Sequence, residues 1–215
     1  MTLNPYARVR RGTDSSLRPI LLNARMDASL KDVEADLRRR RQPMPIITQG
    51  AYMLDAGGGA GASKGYHDGG GALDFRVRHL TDSQVGELVR ALRRHGWAAW
   101  LRNVQHGGFK DPHIHAVLLG DREAASGAKG QMEEYLEGGD GLTGSGKDYH
   151  ARPKTIREFN YAAYVRRLRK PTVTLREFKR RHLEAALANA VKAGNVNRAR
   201  RLRKWLAQLP PKKGK

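Results

Sequence analysis

Two short motifs constrain this chain more than any other feature. His67 and Asp74 stand seven residues apart, with three consecutive glycines between them, and His113 and His115 stand two residues apart later in the chain. Two residues at such a spacing reach a common point only where the chain bends sharply, and glycine permits the positive φ values that such a bend needs. In an extended strand His113 and His115 point to the same face. The two motifs together therefore predict one shared site.

The residue types in these motifs favour a metal. The chain has no cysteine, so disulfides and thiolate ligands are both excluded. A catalytic zinc site takes three protein ligands and leaves one position for water, and histidine nitrogen with carboxylate oxygen suits this ion. We predict that His67, Asp74 and His115 bind Zn²⁺. His113 is then a catalytic residue beside the metal that holds water or a developing oxyanion.

Charge divides the chain into two parts. Residues 151–215 contain 20 lysines and arginines against three acids, whereas residues 1–150 contain 21 against 18. The first part is nearly neutral and the second is a polycation that is typical of proteins with a polyanionic partner. We predict a basic arm over 1–18, a metal-binding domain over 19–150 and a basic helical region over 151–215.

The hydrophobic pattern predicts an α+β fold. Apolar residues recur at helical spacing in some segments and alternate in others, with Thr81 as a helix cap. We expect a small antiparallel sheet that carries the zinc site, with helices on one side, followed by a basic all-α C-terminal region. The predicted elements are helices over 19–41, 81–95 and 121–136, strands over 45–52, 72–77, 97–104 and 114–119, and three basic helices separated near Pro171 and Asn195 that end in a frayed tail from Pro210.

The motifs resemble a known superfamily. The pattern His67-x-x-Gly70-x-Ala72-x-Asp74, followed by His113-x-His115, resembles the superfamily of lysostaphin-type endopeptidases, zinc D-Ala-D-Ala peptidases and the hedgehog signalling domain. The resemblance covers roughly residues 20–145. Further segments are similar to peptidase modules of actinobacteria and their phages, many of which are endolysins: Thr48–Tyr52, Gly96–Trp100, His113–Ala116 and Gln131–Leu142.

This resemblance implies hydrolysis of a peptide bond in peptidoglycan stem peptides. By the family pattern His67, Asp74 and His115 correspond to the zinc ligands, and His113 to the histidine that supports the oxyanion. Members often have a serine where Gly65 stands, an arginine near the strand that ends at Tyr52, and an acidic base where Pro112 stands. Asp111 is the nearest acid and is the candidate base, with a turn role as the alternative. Gln49 and Tyr52 are the candidate substrate-binding residues.

The expected protein is a phage endolysin that resides in the host cytoplasm before lysis and then acts on the cell wall. The segment Met1–Arg11 has no apolar core of signal-peptide length, and no stretch approaches the ~20 apolar residues of a membrane span. The basic region is expected to bind anionic wall polymers, nucleic acid or a membrane surface, in that order. The alternative function is a catalytically inactive member of the superfamily that binds nucleic acid, or a structural virion protein.

Overall fold

The computed structural model describes residues 3–57, 63–142, 146–169 and 175–208. The chain divides into two compact units, Met1–Val165 and Arg166–Lys215. The strands are β1 (Arg8–Thr13), β2 (Pro19–Asn23), β3 (Ile47–Gln49), β4 (Ala72–Arg76), β5 (Trp97–Arg102) and β6 (His113–Leu118). The helices are α1 (Ala24–Arg39), α2 (Asp82–Arg94), α3 (Ser126–Glu137), α4 (Tyr161–Arg169), α5 (Leu175–Lys192) and α6 (Val196–Gln208).

The N-terminal segment forms a hairpin. Strand β1 pairs antiparallel with β2, and Arg11 binds the carboxylates of Asp27 and Glu34 on α1 at 2.5 Å each. The stretch predicted as a basic arm therefore belongs to the first compact unit, where Arg8–Thr13 pairs with β2. The helix predicted from residue 19 is wrong over its first turn, because those residues form β2. The helix begins at Ala24, where the side chain of Asn23 accepts a hydrogen bond from Met26 N at 2.9 Å.

The central sheet is antiparallel and has the order β3-β4-β6-β5. Its strands lie within the four predicted segments and are shorter than predicted, except that β6 begins one residue earlier, at His113. The predicted cap at Thr81 is confirmed: its side chain accepts from Gln84 N, and the Gln84 side chain accepts from Thr81 N. The mixed α+β class with a small antiparallel sheet is therefore confirmed.

The two faces of the sheet bury different sets of residues. One face carries Leu73, Phe75, Ile114 and Ala116, which pack with apolar residues of α1 and α2. The other face packs against Met132 and Tyr135 of α3 through Ala72, Trp100 and Val117. The expectation of helices on one side is wrong, because α3 covers part of the second face. Strand alternation places Asp74 and His115 on that second face.

Residues 148–152 complete the first unit. Arg93 pairs with Asp148 at 2.8 Å, with both side chains almost fully buried. The exposed edge of β5 is covered because His150 Nε2 accepts from Leu101 N at 3.1 Å and the Tyr149 hydroxyl donates to Leu101 O. These contacts extend the compact unit beyond the predicted boundary at residue 150.

The second unit contains a helical hairpin of α5 and α6. Ala190, Ala199 and Leu202 are buried together, and Leu183, Ala186 and Leu187 pack against them. Among the helices of the described segments, none is long and apolar enough to cross a membrane. The predicted break at Pro171 and the predicted tail from Pro210 lie outside the residues that the structure describes.

Candidate metal centre

Sheet register brings two of the predicted ligands side by side. Asp74 on β4 and His115 on β6 are direct cross-strand partners. His67 reaches the same point from the turn before β4. The Asp74 Oδ1 atom lies 2.8 Å from His115 Nδ1 and 3.5 Å from His67 Nε2. The three candidate ligand atoms all lie within 4.8 Å of one another, so the structure brings the predicted triad together.

The glycines of the turn serve two different needs. Gly71 has φ +90°, which a residue with a side chain rarely adopts. Gly69 and Gly70 do not have this conformation. A Cβ on Gly69 would meet the backbone of Glu123 and Ala125, and one on Gly70 would meet the Tyr52 hydroxyl at 2.6 Å. The bend that presents His67 therefore depends on close packing as well as on backbone freedom.

Hydrogen bonds orient the ring of each histidine. His67 Nδ1 donates to Gly50 O at 3.0 Å, which leaves Nε2 with its lone pair toward Asp74. Gln131 Nε2 donates to Gly141 O at 3.0 Å, so Gln131 Oε1 faces His115 and lies 2.9 Å from its Nε2. His115 Nδ1 lies 2.8 Å from Asp74 Oδ1, so both ring nitrogens of His115 face oxygen acceptors, and a metal ion at Nδ1 would leave the proton on Nε2. Such outer partners orient metal-binding histidines.

Electrostatics keep the centre ready for a cation. Burial tends to raise the pKa of Asp74, but His67 and His115 outweigh it and lower that pKa far below the ordinary range. Burial lowers the pKa of His115. Burial also tends to lower the pKa of His67, yet the charge of Asp74 outweighs it and the pKa is raised. The carboxylate therefore stays ionised, and of the two rings His67 takes up a proton more readily than His115.

The donor set fits a divalent metal ion. Two imidazole nitrogens and one carboxylate oxygen converge on one point, and all three residues are at least 90% buried. Converging acceptors repel one another unless a proton or a cation stands between them. Two nitrogens and one oxygen, with no sulfur, suit a zinc site with an open position. Among the described residues, this is the one group of three or more that could hold a metal ion.

A cleft of about 940 Å³ opens above the triad. The other predicted residues that line it are Gln49, Asp111 and His113. His113 lies on the same face as His115, and its Nδ1 donates to Asp111 O at 2.7 Å, which leaves Nε2 without a proton in the neutral ring. The carboxylate of Asp111 is exposed and pairs with Arg78.

The two predicted substrate residues are placed differently. Gln49 is the cross-strand partner of Asp74, and its Nε2 is buried without a hydrogen-bond partner in the described part of the chain. Tyr52 does not line the cleft and is only 3% exposed. Its hydroxyl contacts Asn23 and Glu123, and burial raises its pKa. The structure thus brings Gln49 to the cleft and gives Tyr52 a place in the core.

Sequence reasoning missed Gln131 and Arg102, which both line the cleft. Gln131 interrupts a buried stripe of α3 that also contains Ala128, Met132 and Tyr135, and a polar residue in such a stripe is a usable signal. Arg102 ends the apolar strand β5. Nothing in the sequence pattern indicated that the backbone oxygen of Gly50 would orient His67.

Comparison of the whole chain with protein-family models, with curated proteins and with solved structures finds no match to any of the three.

Proposed function

We propose that this chain is a zinc-dependent hydrolase that cleaves a peptide bond in the stem peptides of bacterial peptidoglycan, and that it serves as a phage endolysin. One observation carries the proposal of metal-dependent chemistry: the buried acceptors of His67, Asp74 and His115 converge on the floor of an open cleft. The substrate class comes from the resemblance of the two motifs to zinc peptidoglycan peptidases.

His67 Nε2, Asp74 Oδ1 and His115 Nδ1 would hold the ion. When bound, zinc supplies a Lewis acid and lowers the pKa of a bound water to about 7. The protein supplies orientation: Gly50 O holds the proton of His67 on Nδ1, and Gln131 Oε1 would hold that of His115 on Nε2 once Nδ1 binds the ion. Asp74 neutralises part of the added positive charge.

His113 is the proposed proton-transfer residue. Residues two apart in a strand are separated by about 6.6 Å, so its ring stands one step along the cleft from His115. The bond from Nδ1 to Asp111 O leaves Nε2 to take a proton from the attacking water. The protonated ring then donates to developing negative charge or to the leaving amine. The Asp111 carboxylate already pairs with Arg78. We therefore assign Asp111 the role of orienting His113 through its backbone carbonyl, rather than that of proton acceptor.

Gln49 is the proposed substrate donor. Its buried Nε2 lacks a partner in the described part of the chain, while its Oε1 accepts from Ser63 at 3.3 Å. An unmade hydrogen bond at a buried amide costs about 1–3 kcal/mol. A substrate carbonyl in the cleft would satisfy this donor beside Asp74.

Digestion of purified actinobacterial peptidoglycan, followed by mass spectrometry of the fragments, tests the function. We expect the zinc-loaded protein to release one class of peptide fragment, His113→Ala to release much less, and Asp74→Asn to release none. Arg90→Gln, at an exposed side chain of α2 on the sheet face away from the triad, is the control and retains cleavage. Equal release by Asp74→Asn and the unaltered protein would contradict the proposal.

A polyanion-binding role for the second unit has its own support. Helix α6 has no acidic residue, and its five basic side chains are all exposed: Arg198, Arg200, Arg201, Arg203 and Lys204. We propose that it binds anionic wall polymers, because wall attachment serves a wall hydrolase. Cosedimentation of the full chain with walls should weaken with salt. It should also weaken in a variant with Arg200, Arg203 and Lys204 changed to glutamine. Binding to nucleic acid but not to walls would favour the nucleic-acid alternative.

A further inference from the structure

A row of cationic and imidazole side chains crosses the cleft beside the metal centre. His113 on β6 is the direct partner of Arg76 on β4 and of Arg102 on β5. Residues opposite each other on one face are about 5 Å apart at Cβ. All three line the cleft. The row lies one step along the sheet, about 6.6 Å, from the row that contains Asp74 and His115.

Arg102 is a buried charge without a carboxylate partner. Arg102 is only 1% exposed, and its guanidinium donates to Asp140 O at 2.8 Å and to Gly141 O at 3.1 Å. No carboxylate of the described residues lies within ion-pair distance. Burial lowers its pKa, although an arginine remains charged at neutral pH. The two carbonyl dipoles and the rings of Trp100 and Phe109, whose centroids lie 5.1 and 6.0 Å from the guanidinium carbon, stabilise this charge without neutralising it.

The remaining charges of the cleft leave it positive. Arg76 is exposed and makes no ion pair with the described residues, whereas Arg78 is neutralised by Asp111. Two unpaired arginines therefore flank His113. The ionised Asp74 also lines the cleft, so three arginines stand against two carboxylates there, and a narrow site with such an excess attracts ligands of the opposite sign. The cleft is thus better suited to a negatively charged peptide than to a neutral one.

The spacing between the rows limits where that negative charge lies. An extended peptide advances about 3.3–3.6 Å per residue, so about 6.6 Å corresponds to roughly two residues, or to one residue and a short side chain. A substrate whose scissile carbonyl sits at the triad would bring such a group to the arginine row. Arginine binds carboxylates through paired hydrogen bonds in a fork geometry.

We propose that Arg76 and Arg102 form a carboxylate-binding subsite that selects peptides with a carboxylate next to the scissile bond. Arg76 makes the direct contact, and Arg102 supplies buried positive charge behind it. The inference rests on the proposed hydrolase function and specifies its substrate as an acidic peptide. The carboxylate is a main-chain terminus or an acidic side chain.

A pair of metal-binding probes tests the subsite without cleavage. N-hydroxysuccinamic acid carries a hydroxamate and a carboxylate, and its primary amide carries the same hydroxamate without the charge. Calorimetric titration of the zinc-loaded full chain should show that the acid binds about tenfold more tightly, as expected for one charged hydrogen bond. Arg76→Gln should remove this difference and leave the affinity for the amide unchanged.

Arg78→Gln is the matched control, because its charge is already paired with Asp111, and it should retain most of the tenfold preference. Arg102→Lys keeps the charge, so it should retain a preference that Arg102→Gln loses. Equal binding of the two probes to the unaltered protein overturns the inference. If neither probe binds, the inference is also overturned. If a parallel titration with zinc then shows that the protein binds no zinc, the proposed function is overturned as well.

Fragments of uncrosslinked stem peptides distinguish the two sources of the carboxylate. Release of a single terminal amino acid identifies the main-chain carboxylate, and cleavage next to an acidic residue within the stem identifies the side-chain carboxylate. Cleavage that is equally fast after amidation of both groups contradicts the subsite.

Discussion

Two clusters of buried polar residues lie in the first unit, and they differ in one respect. Around Asp36 every acceptor has a donor: Arg94 Nε and Nη2 lie 3.0 and 2.8 Å from Asp36 Oδ2, and Arg40 Nε lies 3.2 Å from Oδ1. Around Asp74 the neighbours are two imidazole rings, His67 and His115. The first cluster is complete without a ligand, whereas in the second the carboxylate has a positive partner only when a proton or a metal ion lies between it and a ring.

The contrast distinguishes a structural ion network from a candidate metal site. Arg94 and Arg40 lower the pKa of Asp36 to about 2, against burial, and the network joins α1 to α2. The pKa of Asp74 is lowered further, by His67 and His115. These rings stabilise the carboxylate only when a proton or a metal ion lies between it and a ring nitrogen. Strong pKa perturbation occurs in both clusters, so the lack of an arginine or lysine partner for Asp74 among the described residues is the more useful sign of a candidate metal site.

The largest expected effect comes from Asp74→Asn. This change removes one of three ligands and places an amide donor before the histidine lone pairs. Zinc affinity should fall roughly a thousandfold or more, while the metal-free protein keeps or raises its Tm. Competition with a chromophoric chelator and thermal unfolding measure the two quantities. A lower metal-free Tm with unchanged zinc affinity would assign Asp74 a structural role.

Asp36→Asn should show the opposite pattern. Loss of the charge leaves Arg94 and Arg40 without their carboxylate, so the free energy of unfolding should decrease by about 1–3 kcal/mol. Zinc affinity should not change, because α1 packs on the face of the sheet away from the triad. Urea unfolding and the same chelator competition test both statements. A zinc-binding defect here would remove the distinction between the clusters.

A smaller effect is expected at Gln131. Gln131→Leu removes the acceptor of His115 Nε2–H and frees the ring to change tautomer, so zinc affinity should fall by about 10–100-fold. Gln131→Glu keeps an acceptor and serves as the control, with affinity equal to or above that of the unaltered protein. If both variants bind zinc equally, the tautomer is set by something other than this hydrogen bond.

The smallest effect is a dependence of stability on acid pH. The pKa of Asp36 is about 2 when folded, against an ordinary value of 3.8. The unfolded chain therefore binds more protons between these values, so the contribution of Asp36 is complete above about pH 4 and is lost as pH falls through 2. The stability difference between the unaltered protein and Asp36→Asn should narrow over this interval in urea titrations. A constant difference from pH 5 to pH 2 would contradict it.

Local patterns predicted much of the fold. Strand alternation located β4 and β6, and it placed His113 and His115 on one face before the register was known. Two elements were beyond the pattern. Leu21 and Leu22 also fit helical spacing, and only pairing with β1 makes their segment a strand. The position of α3 on the second face depends on long-range packing of Tyr135 and Trp100.

The site was predictable where side chains carried it and less so elsewhere. Residue type and spacing were enough to predict His67, Asp74 and His115 as candidate metal ligands. The acceptor for His67 is a backbone carbonyl of Gly50, which no residue type encodes. Tyr52 illustrates the converse, since a tyrosine near a strand end suggests a groove, but its hydroxyl is buried against Asn23 and Glu123. Arg102 acquires its place beside His113 only through the pairing of β5 with β6.

The most direct test of the metal centre reads the ring nitrogens themselves. Nitrogen-15 NMR of the histidine side chains, recorded before and after addition of one equivalent of zinc, reports which atom of each ring binds metal. We predict metal coordination at His67 Nε2 and His115 Nδ1, with protons retained at His67 Nδ1 and His115 Nε2, and no coordination by His113. Unchanged shifts of His67 and His115 in the presence of zinc would contradict the metal centre.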